Sequence, residues 1–172
     1  MAKRLEITMK EERSQNQNAI MMPQYLLYNN IGLVMSIVMM MTKRHQKVNI
    51  AQIAIFLPLL LDDNVVKRAN SPVAYKILNL AAIDRVNIAN MNDRYRQALL
   101  VLVNALSVLQ DFDAVRINKD VVEYIPNNKL EGMLEGHDCE RFLKIKEAYY
   151  HLWPSQQDMG LAELYHLLGI II

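Results

Sequence analysis

From Ile31 to Met41 only Gly32 and Ser36 interrupt an apolar run, and from Ile50 to Leu61 Gln52 is the one polar side chain. A helix that is apolar on nearly every face belongs inside a core, so these two segments predict a pair of buried helices. Asn29 or Asn30 can cap the first by accepting from its free backbone N–H groups, and Asn49 can do the same for the second. Pro58 removes one backbone donor and is expected to kink or end the second helix after Leu57, with Leu59 to Leu61 running on to a turn at Asp62-Asp63.

A short helix is expected over Asn64 to Ala69. Ser71-Pro72 then reads as a helix start, a cap residue followed by proline. Val73, Ile77, Leu80, Ala81 and Asp84 share one face of the helix that follows. Asn92-Asp93 opens the longest helix, which extends to Gln110. Its apolar stripe is Tyr95, Leu99, Leu102, Val103, Leu106 and Leu109, and its narrow polar stripe is Asp93, Arg96, Gln97, Asn104 and Ser107, interrupted by Leu100. The period then changes from helical to alternating: Val115 to Asn118, a turn at Lys119-Asp120, and Val121 to Ile125 predict a β-hairpin.

Helix, helix, longer helix and hairpin is the element order of a winged helix-turn-helix. The expected fold is therefore mainly α with a small β-hairpin: a winged-helix-like centre with apolar N-terminal helices and a C-terminal helical extension. In residue numbers this means a polar arm over 1–27, the helical core over 28–126 and the extension over 127–172. The extension reads as a Gly132/Gly136 loop, a helix from Asp138 to Leu152, a break at Trp153-Pro154 and a helix from Leu161 to Leu168 stopped by Gly169.

Composition narrows the class. The chain has 172 residues, 52% apolar and 22% charged, which suits one domain with a sizeable core. The two apolar runs, 11 and 12 residues long, fall short of the roughly 18 to 20 needed to cross a bilayer. Glu6, Lys10, Glu11, Glu12 and Arg13 interrupt what a secretion signal would require to be apolar. Cys139 is the single cysteine, so an internal disulfide is excluded and a reducing, cytoplasmic setting is expected.

The formal net charge of +1 hides a polarity along the chain. Residues 42–96 carry nine basic and four acidic side chains, whereas residues 97–172 carry six basic and eleven acidic. Opposite charge in two regions suits two unlike partner surfaces, and equally a scatter of solvated side chains.

No residue pattern marks an enzyme. The five glycines form no phosphate-cradling loop. The densest reactive group, His137-Asp138-Cys139-Glu140, reads as a metal site completed by His151, as a thiol with a histidine base, or simply as a polar loop and helix start, the last being favoured because sequence neighbours diverge there. His45 and His166 are expected to be solvated or interfacial, and Asp111 with Asp113 to be turn residues. No catalytic residue, cofactor, metal or small-molecule substrate is expected.

Two binding surfaces follow from the pattern. Lys43, Arg44, Lys47, Lys67, Arg68, Arg94, Arg96, Arg116 and Lys119 are candidate nucleic-acid contacts, although a solvated face or contact with an acidic protein partner is the favoured reading of these cations. The long helix offers cations only in its first turn, so contact to phosphates is more natural than base readout. Met21 and Met22 precede a second methionine group at Met35, Met39, Met40 and Met41, and methionine lines adaptable surfaces as well as cores. Three consecutive methionines cannot all hide against one neighbour, so Met35, Met39, Met40 and Met41, with Leu164, Tyr165 and Leu168, are the expected partner interface.

Three segments carry a resemblance to a known family. They are Tyr28-Asn29-Asn30-Ile31-Gly32-Leu33, Phe56-Leu57-Pro58-Leu59-Leu60-Leu61-Asp62, and Leu161-Ala162-Glu163-Leu164-Tyr165-His166-Leu167-Leu168-Gly169-Ile170. In this order, spanning residues 28–170, they resemble the middle component of bacterial three-component ABC-ATPase defence systems. The resemblance implies a non-enzymatic adaptor that joins an ABC-type ATPase to a third, effector component in an anti-phage complex, with no catalytic residues to transfer. The rival reading is a winged-helix DNA-binding regulator.

Overall fold

The computed structural model describes residues 31–71, 90–126, 130, 139–154 and 159–171, all within the unit Ile31–Ile172. The expectations for the N-terminal arm, Met21, Met22, the Asn29/Asn30 cap, Pro72 and the helix face from Val73 to Asp84 lie outside them. So do those for the Gly132/Gly136 loop, His137 and Asp138.

Among the described residues the architecture is mainly helical with a small antiparallel sheet. In chain order it runs α1 (Ile31–His45), β1 (Lys47–Asn49), α2 (Ile50–Leu60), α3 (Asp63–Ala69), α4 (Met91–Asp111), β2 (Val115–Asn118), β3 (Val121–Tyr124), α5 (Glu140–Leu152) and α6 (Leu161–Leu167). The core sits where α1 and α2 pack against α4, with α3 against α5 beside it.

Asn49 caps α2: its side-chain oxygen accepts from the Ala51 N–H at 2.8 Å, while Gln52 reaches back to the Asn49 N–H at 3.2 Å. Pro58 does not end α2. It lies buried in the last turn, where only one helical hydrogen bond is forfeited, and the helix stops two residues later at Leu60. Asp62 caps α3, accepting from Asn64 and Val65 at 2.8 and 3.3 Å.

The hairpin forms at the expected residues, with Asn118 opposite Val121 and Ile117 opposite Val122. Its two-residue turn is tight enough to require φ 57° at Lys119. A third strand, β1, pairs with β3 through Lys47–Glu123, Val48–Val122 and Asn49–Val121, so the strand order is β1-β3-β2. The periodicity missed this strand because it is three residues long and buries one side chain, Val48.

Two helices end with the chain turning through the left-handed region. After α6, Gly169 adopts φ 65°, the Ile170 N–H bonds to Tyr165 and the Gly169 N–H to His166. After α4, Asp113 adopts φ 53°, with Ala114 bonded to Leu109 and Asp113 to Gln110. Both have the bond pattern of a Schellman stop, which explains why glycine suits position 169.

Candidate interaction surface

The methionine cluster is internal. Met35, Met39 and Met41 are buried, and Met40 is partly buried against the same core. The reason is coverage from several directions: α4, α2, β3 and α5 all pack on α1, so side chains on more than one face of it find neighbours in the same chain. Leu164 and Leu168 are likewise fully buried by this chain. Tyr165 stands edge-on to Tyr95 with ring centroids 5.8 Å apart and hydroxyls 3.0 Å apart, joining α6 to α4. Burial pushes the Tyr165 hydroxyl above its ordinary pKa, and the Tyr95 hydrogen bond adds to the shift.

The candidate basic residues are dispersed over several elements. Arg94 points inward: its guanidinium meets Asp62 at 2.9 Å and the Pro58 carbonyl at 2.5 Å. Desolvation lowers the Arg94 pKa and the Asp62 charge opposes that shift. Arg44, in the last turn of α1, lies 4.5 Å over the Tyr150 ring of α5. Lys47 on β1 pairs with Glu123 on β3 at 2.7 Å, and Arg116 on β2 stands opposite Glu123 in register. One carboxylate thus lies between two cations across the sheet, and the Lys47 hydrogen bond, then its charge, hold the Glu123 carboxyl below the usual range. Lys43 and Lys119 are exposed, Lys67 and Arg68 are exposed on α3, and Arg96 is exposed on α4.

The hairpin tip is tied down. The Asp120 carboxylate accepts from the Asn49 amide at 2.6 Å, and its backbone carbonyl accepts from the Ile50 N–H at 2.7 Å. The turn is therefore fastened to the start of α2.

The outward side of α4 is the most distinctive surface. Leu100 is 61% and Val103 is 64% exposed, flanked by exposed Asp93, Arg96, Asn104 and Ser107. The sequence pattern places Val103 in the apolar stripe, but the structure turns it outward. Ala98, Val101 and Ala105 occupy the buried side instead, together with Tyr95, Leu102, Leu106 and Leu109.

His45 is part of the packing. Its ring stacks on Trp153 with centroids 4.3 Å apart and an interplanar angle of 29°, and it meets Tyr149 edge-on at 6.1 Å. Phe56 completes the group at 5.1 Å from Trp153. Among the described residues, the enclosed His45 Nε2 and Tyr149 hydroxyl have no hydrogen-bond partner. Burial, then the adjacent Arg44 charge, lower the His45 pKa, and burial raises that of Tyr149. Sequence reasoning missed this cluster because its members lie on three helices far apart in the chain.

Between α3 and α5 runs a groove of about 550 Å³ lined in part by Lys67, Asn70, Lys144 and Glu147. Arg141 pairs with Asp63 at 3.1 Å and Lys144 with Glu140 at 2.6 Å. Asn70 donates to the Lys144 carbonyl at 2.8 Å, while its own oxygen has no partner among the described residues. Mixed and largely paired charges give this groove no preference for one sign of ligand. His151 points its Nδ1 at the Ala69 carbonyl at 2.6 Å, and Cys139 is exposed.

Among the described residues no three His, Cys, Asp or Glu side chains gather as a metal site would need. No described helix is long and apolar enough to cross a membrane. Comparison with known protein families, curated proteins and solved structures finds no match to this chain.

Proposed function

We propose that this chain is a winged-helix-type adaptor, without catalytic activity of its own, that joins an ABC-type ATPase to a third, effector component in a bacterial anti-phage defence complex. Element order and the strand order β1-β3-β2 support the winged-helix assignment: a helix, a strand, further helices and a hairpin whose returning strand pairs with the first. The identity of the partners rests on the resemblance of the three sequence segments.

The observation that carries the adaptor reading is the outer side of α4. In a DNA reader the helix preceding the hairpin presents cations and hydrogen-bonding side chains to the groove. Here its exposed middle is Leu100 and Val103, and Arg94 is committed to Asp62 and Pro58. The hairpin tip, which reaches for DNA in many winged helices, is fastened to Asn49 and Ile50. An exposed apolar centre with a polar rim is the anatomy of a protein-docking face.

Co-expression with an ABC-type ATPase encoded beside it, the partner the resemblance implies, followed by gel filtration at moderate salt, tests the reading. A co-eluting complex supports it, and separate elution overturns it. Duplex affinity of the isolated chain that falls steeply with salt and drops on Arg96→Ala would favour the DNA-binding alternative.

A further inference from the structure

The outer side of α4 is self-complementary, and we propose that it pairs with the same helix of a second copy of this chain, antiparallel and about a two-fold axis. The inference rests on the reading of α4 as a protein-docking face and names its occupant.

The seam is Arg96, Leu100, Val103, Ser107 and Gln110, advancing by four and three residues in turn, the spacing that keeps one line of side chains facing a partner helix. All five are exposed. The two apolar members lie at the middle and small or uncharged side chains follow. Charged side chains stand at both ends: Arg96, with Asp93 one turn before it, toward the N-terminus and Asp111 toward the C-terminus, all exposed, and among the described residues neither Arg96 nor Asp111 has an ion pair within 4.0 Å.

Symmetry selects the direction. A parallel pair sets Asp93 beside Asp93, Arg96 beside Arg96 and Asp111 beside Asp111, like charge against like at each position. An antiparallel pair whose axis passes between Val103 and Asn104 sets each Arg96 opposite the other copy's Asp111. Leu100 then faces Ser107, a small residue that lets the helices approach closely, and the two Val103 side chains meet near the axis. The contact is isologous, so it closes at two subunits. Arg96 and Asp111 are about 22 Å apart along the helix at about 1.5 Å per residue. A contact of that length is small for a permanent dimer, so the association is reversible and concentration-dependent.

Sedimentation velocity of the full chain over a range of concentrations tests the pairing. The wild type is expected to pass from monomer to dimer as concentration rises. Leu100→Glu is expected to remain monomeric. Arg96→Asp alone, which places like charges together twice, is expected to weaken the dimer roughly tenfold, and Arg96→Asp combined with Asp111→Arg to restore it. These side chains are exposed, and unchanged thermal unfolding checks that the variants fold.

A wild type that stays monomeric overturns the proposal, as does a double variant no stronger than its single parents. If the wild type is monomeric yet Leu100→Glu loses the ATPase complex, α4 docks a different protein: the pairing fails while the adaptor reading stands. If a dimer forms with the expected charge-swap pattern but no ATPase complex is found, the adaptor reading fails and the pairing stands.

Discussion

Arg94 and Asp62 form an ion pair at 2.9 Å, and each has a second task. Asp62 also accepts from the first backbone N–H groups of α3, and Arg94 also donates to the Pro58 carbonyl. One pair therefore holds the first turn of α4 against both the end of α2 and the start of α3. Arg94→Ala is expected to destabilise the fold by about 1–3 kcal/mol in urea unfolding, because it leaves a partly buried carboxylate unpaired. Arg94→Lys recovers little, since an ammonium cannot reproduce the planar fork that reaches both acceptors. Loss of duplex affinity without loss of stability would instead assign Arg94 to nucleic acid.

Met41 and Met40 are neighbours with different surroundings. Met41 is fully buried, whereas Met40 is partly buried at the edge of the core. Met41→Ala is expected to cost about 2–5 kcal/mol through lost packing and the cavity left behind. Met40→Ala is expected to cost about 1 kcal/mol or less. Thermal or chemical unfolding of the two variants checks the difference. Equal, small costs would return the cluster to the surface.

What the chain order made legible was local. The cap at Asn49, the hairpin from Val115 and the stop at Gly169 are set by residues within a few positions of one another, and all three stand where the pattern put them. The direction of Arg94 was not legible, because Asp62 and Pro58 reach it only after α2 and α4 pack. Nor was the burial of Met35, Met39 and Met41, since periodicity shows which faces are apolar but not how many neighbours cover them. The α4 surface was half legible. Leu100 is recognisable as a break in the polar stripe, whereas Val103 fits the apolar spacing but lies outward, because Ala98, Val101 and Ala105 take the buried side.

His45 couples stability to pH. In the unfolded chain its imidazole titrates near the ordinary value of 6.5, whereas in the folded chain burial against Trp153, then the Arg44 charge, lower that pKa. The folded state binds fewer protons between the two values, so stability rises with pH through that window. The contribution is fully present above the unfolded value and is lost as pH falls from about 6.5 toward the folded pKa. Chemical unfolding across this range is expected to show the loss. His45→Phe, which keeps the stack and removes the proton site, is expected to flatten it. An unchanged slope in that variant would place the titration elsewhere.

Gly169 and Tyr165 together hold α6 on the core. At φ 65° an L side chain is strained, although a Cβ at Gly169 would meet no atom within 4 Å. Gly169→Ala is therefore expected to cost about 1 kcal/mol from backbone strain alone, and Gly169→Asn less, because asparagine tolerates the left-handed region. Tyr165→Phe removes the hydroxyl that meets Tyr95 and is expected to cost about 1 kcal/mol. Both changes act on the same short helix, in which Leu164 is fully buried, as is Leu168 at its end. Loosened α6 should therefore appear as faster amide exchange over Leu164 to Ile170, with the middle of α4 unchanged. A fall in protection spread evenly over the whole chain would show instead that α6 unfolds only with the rest of the core.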